Sequence, residues 1–152
     1  MNKPNPHAGD LRKGRVSESG GIYLITCVTH KRMCVFTQWG CGRLLVTVLI
    51  NEHERAETLA YVVMPDHLHW LVQLAEGTSL DRLMRTVKSV SSRQINRKLN
   101  RSGRLWQAGY HDHALRKTED MVATARYVIA NPLRAGLVER IGDYPLWDAT
   151  WM

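Results

Sequence analysis

The sequence predicts an α+β fold: a βαββαβ sandwich, in which a mainly antiparallel sheet carries helices on one face, with an extra helix towards the C-terminus. Three observations carry that expectation. Runs rich in β-branched and aromatic residues recur at 21–30 (GIYLITCVTH), 58–64 and 68–75. Stretches with helical spacing of apolar residues follow, chiefly at 80–100 and 121–131. The breaks between them are short, Pro65-Asp66 and Glu76-Gly77 among them. A chain of 152 residues suits one domain with a substantial core.

Residues 1–20 read as a flexible basic arm ahead of a single domain at 21–152. The arm carries Pro4, Pro6, Gly9, Gly14 and Gly20 around the cluster Arg12-Lys13-Gly14-Arg15. Such an arm is either a solvated tail or a tracker of phosphate backbone, through Arg12, Lys13 and Arg15. Residues 21–30 suit a buried first strand. Residues 35–56 fit two states: Leu44, Leu45, Val48 and Leu49 share a helical face, while Val46-Thr47-Val48 also suits a strand. Length favours a helix, with Gly40 and Gly42 weakening its start. Residues 58–64 and 68–75 then form a hairpin about Pro65-Asp66-His67, and Pro65, lacking an amide proton, belongs at the strand end.

Thr78 is the expected N-cap of the next helix, with Asp81 as capping-box partner. Leu80, Leu83, Met84, Val87 and Val90 form its apolar face. Arg82, Arg85, Lys88, Arg93 and Arg97 fall on the opposite arc, and eight Lys or Arg with no acid lie between Arg82 and Arg104. A merely solvated face usually mixes both signs, so this one points to nucleic acid. Residues 105–117 read as a strand, bulged at Gly109, with a His-x-His of its own at His111 and His113. Thr118 can cap the following helix, whose buried face is Met121, Val122, Ala125, Val128 and Ile129. Tyr127 lies off that stripe, alongside Asp120, Thr124 and Asn131. Pro132 ends the helix and opens a short one at 132–138, with Asn131 as its cap. The tail, with Tyr144, Trp147 and Trp151, is expected to pack back as a satellite cluster.

The net charge of +7 points to a polyanionic partner. The longest apolar run, Leu44 to Ile50, is far too short to span a membrane. Three cysteines without a CxxC argue for a reducing cytoplasm and against a disulfide or zinc-finger scaffold.

The chemistry centres on His67-Leu68-His69. On a strand, i and i+2 share a face, so both imidazoles project together while Leu68 enters the core. They are either two wet histidines or half of a metal site. The pair at His111 and His113 lacks long apolar flanks and suits phosphate contact or support better than coordination. A structural zinc at His67 and His69 is a further alternative, weakened by the absence of nearby cysteines.

Met64-Pro65-Asp66-His67-Leu68-His69 resembles the histidine-hydrophobe-histidine (HUH) motif of single-tyrosine transposases. The stretch from Arg126 to Leu137 (RYVIANPLRAGL) resembles the tyrosine-bearing helix of their REP-associated branch. Leu105-Trp106-Gln107, Asp112-His113 and Gly14-Arg15 are similar to that branch as well. The resemblance implies a ferredoxin-like HUH fold, with His67 and His69 binding one divalent metal, Mg or Mn. It also implies a third polar ligand, for which Asn131 stands four residues after Tyr127. Tyr127 would be the nucleophile that cleaves and rejoins single-stranded DNA. The implied substrates are hairpins of repetitive extragenic palindromes, met by a monomer or a dimer. A non-cleaving single-strand nucleic-acid binder of ferredoxin-like fold is the alternative. Asp66 stands where Asn is expected, bringing negative charge beside the first histidine.

Overall fold

A computed structural model describes residues 20–116 and 119–150. Its centre is a five-stranded sheet in the order β4-β1-β3-β2-β5, with every neighbouring pair antiparallel. The strands are β1 (Ile22–Val28), β2 (Ala56–Met64), β3 (His67–Leu74), β4 (His111–Ala114) and β5 (Trp147–Ala149). Helix α1 (Trp39–Asn51) joins β1 to β2, and α2 (Leu80–Leu99) joins β3 to β4. Each crossover leaves room for one strand between the two it connects, so two split βαβ units interlock. That is the predicted ferredoxin-like βαββαβ core. Helix α3 (Met121–Ile129) and the short α4 (Asn131–Arg134) follow β4.

Strict alternation sorts the strands into two faces. Tyr23, Ile25, Cys27, Tyr61, Val63, Leu68, Trp70, Val72 and Leu74 point into the main core, with Leu45, Leu49, Leu83, Met84, Val87 and Ile95 of α1 and α2 against them. Trp70 is completely buried and its indole donates to Thr58 Oγ1 at 2.9 Å. The opposite face is lined by Leu24, Ala60, Val62, Met64 and Leu71. It is not open as the expected one-sided sandwich would leave it. Helix α3 lays Ala125 and Ile129 against Ala60 and Leu71, and Val128 against Val62 and Met64.

Several local expectations are corrected. Ser79, not Thr78, caps α2: its side chain accepts from the Arg82 amide at 3.2 Å. Asp81 instead takes the Tyr110 hydroxyl at 2.6 Å. Ser91 and Ile95 extend the buried stripe beyond Val90, which is only partly buried. The expected strand at 105–117 shrinks to β4, because Gly109 turns the chain at a φ of 74°. The cap expected at Thr118 falls outside the described residues, and Asp120 caps α3 by accepting from the amides of Val122 and Ala123.

Asn131 does not cap α4; Ala130 holds that position. Asn131 Nδ2 donates to the Val128 carbonyl at 2.7 Å. On a continuous helix that carbonyl would receive the amide of residue 132, and Pro132 has none. The side chain of Asn131 thus replaces a missing backbone bond. A Schellman motif ends α4 with Gly136 at a φ of 72°, where Gly136 N donates to Leu133 O and Leu137 N to Pro132 O. Helix α4 is accordingly shorter than the 132–138 expected.

The tail is more than a satellite. β5 pairs with the exposed edge of β2, and Leu146 enters the main core beside Gly42, where an added Cβ would sit 2.3 Å from Leu146 Cδ1. Tyr144 donates its hydroxyl to the Val63 carbonyl. No helix among the described residues is long and apolar enough to cross a membrane.

Candidate active site

β3 positions the two histidines. His67 lies opposite Val28 and Met64, and His69 opposite Thr26 and Val62. Both rings rise from the face that α3 partly covers. Their centroids are 4.9 Å apart and their planes are nearly perpendicular.

Each ring is held by its Nδ1. Asp66 Oδ1 lies 2.6 Å from His67 Nδ1, and Arg32 Nη1 lies 3.1 Å from Asp66 Oδ2. Burial pushes the Asp66 carboxyl up, but hydrogen bonds from His67 and Arg32 outweigh it and hold it below its ordinary value. An ionised carboxylate only accepts, so His67 donates to it from Nδ1, and Nε2 is the ring nitrogen that Asp66 leaves unengaged. Thr26 Oγ1 stands 2.9 Å from His69 Nδ1. Burial, then the charges of His67 and Arg134, push His69 down to about 4, so its imidazole is neutral at physiological pH. Neither Nε2 has a hydrogen-bond partner among the described residues. Metal-binding histidines commonly anchor one ring nitrogen on a carboxylate or similar acceptor and coordinate through the other. The donor set therefore fits a divalent cation. Among the described residues, however, no group of three His, Cys, Asp or Glu side chains converges.

Asn131 is the sequence-based candidate for a third ligand; its Nδ2 donates to the Val128 carbonyl, and its Oδ1 makes no hydrogen bond among the described residues. Tyr127 is 65% exposed on α3, and the Arg134 guanidinium stacks over its ring, 3.8 Å from the centroid. Val128, the next residue, packs on Val62 and Met64, the β2 partners of His69 and His67. The tyrosine helix of a chain thus sits on the same sheet face as that chain's own histidine pair.

The basic helix is not brought to this site. α2 buries its apolar stripe against the opposite sheet face, so exposed Arg82, Arg85, Arg93 and Arg97 point away from the histidines. Lys88 is spoken for locally: Nζ donates to the Gln107 carbonyl at 2.7 Å and the Gly109 carbonyl at 2.6 Å. Arg12, Lys13 and Arg15 lie outside the described residues. His111 and His113 share the face of the catalytic candidates, His111 lying across Thr26 from His69 at the sheet edge. His113 pairs with Glu119 at 3.0 Å.

Sequence reasoning missed Thr26, Arg32 and Arg134. Thr26 was findable only from strand register. Arg134 was within reach of inspection, two helical turns past Tyr127. Arg32 belongs to an irregular loop in which Lys31 and Arg32 both take positive φ, 54° and 51°, a conformation no local pattern announces.

Comparison with known proteins identifies the family. Residues 18–131 match the family model "Transposase IS200 like". The REP-associated tyrosine transposase of Escherichia coli K12 is 30% identical over 129 residues, covering 83% of this chain and 74% of that protein. A Haemophilus influenzae protein assigned to the same class is 28% identical over 146 residues, covering 83% and 78%. A solved REP-associated tyrosine transposase, bound to a REP hairpin, superposes with a TM-score of 0.71 at 26% identity, covering 88% of this chain and 79% of that one.

Proposed function

The chain belongs to the IS200-like transposase family and, within it, to the REP-associated tyrosine transposases, enzymes that act on DNA; from that premise we propose that it cleaves and rejoins single-stranded DNA at the foot of palindromic hairpins, through Tyr127. The observation that carries this reading is the packing of α3 on the histidine face, which brings the residue after Tyr127 against the strand neighbours of His67 and His69. The hairpin partner is inferred from the solved relative, which is bound to a REP hairpin.

Tyr127 Oη attacks the scissile phosphorus. The Oη–P bond forms as the P–O3′ bond breaks, the phenolic proton leaves to water, and the 3′-oxygen gains one. A 5′-phosphotyrosine link and a free 3′-hydroxyl result, and attack by a 3′-hydroxyl reverses the step. One phosphodiester replaces another, so no nucleotide is consumed. A phenol with a reference pKa of about 10 is a weak nucleophile at neutral pH. A bound Mg²⁺ or Mn²⁺ would polarise the phosphate. His67 and His69 would hold it through Nε2, with Asn131 Oδ1 as third protein ligand. Asp66 and Thr26 hold the two rings by Nδ1, which leaves both Nε2 atoms for the ion. On this reading Tyr127 would serve the histidines of its own chain, and the reducing cytoplasm suits the free thiols of Cys27, Cys34 and Cys41.

The test is a denaturing gel of the full chain with hairpin oligonucleotides and Mn²⁺. A covalent adduct that vanishes in Tyr127→Phe while hairpin binding persists is expected. Binding without any adduct, across many hairpins, would leave only a binding protein.

A further inference from the structure

We propose that Arg134 is a further catalytic residue of this site, holding the Tyr127 ring in place and donating to a non-bridging oxygen of the phosphate that Tyr127 attacks. The proposal rests on the assignment of Tyr127 as nucleophile.

Three features of the structure support it. The first is contact: the guanidinium lies 3.8 Å from the Tyr127 ring centroid, well inside cation–π range. The second is the way the backbone makes that contact. Residues 127 and 134 are seven apart, about two helical turns, and so share a helix face. Side chains on a helix lean back towards its N-terminus, which sends a long Arg side chain at 134 towards 127. Pro132 would break this register. Asn131 repairs the break by supplying Val128 with the donor that Pro132 lacks, and the Schellman motif at Gly136 ends the helix one residue beyond Arg134. The short α4 that follows α3 therefore ends at Arg134, with that side chain beside Tyr127.

The third feature is charge. Arg134 is exposed and has no carboxylate partner among the described residues. Its cation therefore lies beside the nucleophile, within reach of a phosphate that Tyr127 attacks. Stacking uses the face of the guanidinium and leaves its in-plane N–H groups free to donate. Arg offers a planar fork that suits phosphate oxygens, which the point charge of Lys does not reproduce. The exposed cations of α2 cannot substitute, since they point away from the opposite face of the sheet. The covalent step is the one already written: Arg134 neither gains nor loses a proton in it.

The experiment is single-turnover cleavage of a hairpin oligonucleotide at saturating protein, with binding affinity and thermal stability measured in parallel. Arg134→Ala is expected to slow adduct formation about 100-fold, the scale for removing one preorganised donor to a reacting oxyanion. Hairpin affinity should change less than about threefold and melting temperature little, because the side chain is exposed. Arg134→Lys, which keeps charge but loses the planar stack, should recover only a small part of the rate. Guanidinium ion at low, non-denaturing concentration should accelerate Arg134→Ala and leave the wild type unchanged, a rescue that a structural role would not give. An unchanged rate in Arg134→Ala, full activity in Arg134→Lys, absence of rescue, or parallel loss of rate, affinity and stability each overturns the proposal. Tyr127→Phe separates the two readings. If it still forms the adduct, the nucleophile assignment fails; if it is inert while Arg134→Ala is normal, only the Arg134 inference fails.

Discussion

Lys88 lies on the basic arc of α2, yet its ammonium is used inside the fold. Replacing it with Met keeps the apolar stem and deletes two donors, those reaching Gln107 O at 2.7 Å and Gly109 O at 2.6 Å. Hydrogen bonds to a charged group contribute about 1.5–3 kcal/mol each, and two that share one ammonium do not add fully. Water can reach the exposed Gln107 carbonyl, so the larger part of the loss comes from the less exposed Gly109. The expected cost is therefore about 2–3 kcal/mol, or roughly 5–10 °C in melting temperature for a domain of this size. Arg85→Ala and Arg93→Ala, at exposed positions, should shift melting by less than about 0.5 kcal/mol equivalent. DNA binding should show the reverse order. Each phosphate contact adds about 0.7 to 0.9 to the slope of log K against log salt. Where the hairpin lies on α2, Arg85→Ala or Arg93→Ala loses that much slope and Lys88→Met loses almost none. The assays are thermal melting and hairpin affinity across a salt series. A Lys88→Met protein with normal melting and a slope reduced by a full contact would refute the assignment of Lys88 to the loop.

Asp66→Ala removes the acceptor that fixes the His67 ring. The Mn²⁺ concentration giving half-maximal adduct formation should rise about 10–100-fold, the usual effect of deleting such a partner, with Asp66→Asn in between. An unchanged metal requirement would count against coordination by His67 Nε2. Ser91→Ala leaves the buried Trp106 indole N–H, now 3.0 Å from Ser91 Oγ, without an acceptor. The expected loss is about 1–3 kcal/mol in urea unfolding, and a neutral result would mean that the indole finds water. Tyr144 has its phenol pushed up to about 12 by burial, above its ordinary 10. Its contribution to stability is complete below pH 10 and is lost as pH rises from 10 towards 12. Tyr144→Phe should thus start less stable at pH 7, by about 1 kcal/mol for the lost bond to Val63 O, and decline less steeply in alkali. Parallel alkaline curves for the two proteins would contradict this.

Most of the architecture was legible because its signals are local. The alternation through 67–74 puts Leu68, Trp70 and Val72 in the core and the histidines on the other side, whatever the strands pair with. The 3.6-residue period through 80–90 likewise fixes the buried stripe of α2. Three parts were not legible, each for a long-range reason. β5 forms because the free edge of β2 takes a strand from about 90 residues away, a pairing that nothing near Trp147 encodes. The strand expected at 105–117 contracts because Gly109 turns the chain, and Lys88 of another element holds that turn through the Gln107 and Gly109 carbonyls. Asn131 read as a cap from its place before Pro132, a rule that holds for helix starts. Here Ala130 keeps a helical conformation, so the carbonyl left bare by Pro132 outcompetes the capping role. Of the site, the histidines and Tyr127 stood out in the sequence. The side chains that orient them did not, since Thr26 and Arg32 meet His69 and Asp66 only across the sheet and its end loop.

Among the described residues, two groups of cations lie on opposite faces of the sheet. One is the outer arc of α2, with Arg82, Arg85, Arg93 and Arg97, on the side of the sheet away from the histidines. The other is sparse and lies on the histidine side: Arg32 beside Asp66, and Arg134 over Tyr127. Tight packing of the sheet keeps the two apart, since no side chain reaches from one face to the other through a buried layer of Trp70, Leu68 and Val72. A long basic helix is therefore a poor guide to where a phosphate reacts. Contacts on α2 can strengthen binding to any polyanion that reaches them, and they do so uniformly, without distinguishing ground state from transition state. Only the few cations on the reacting side can act differently on the two. Net charge and basic runs predict the class of ligand, while rate depends on which cations share a sheet face with the nucleophile.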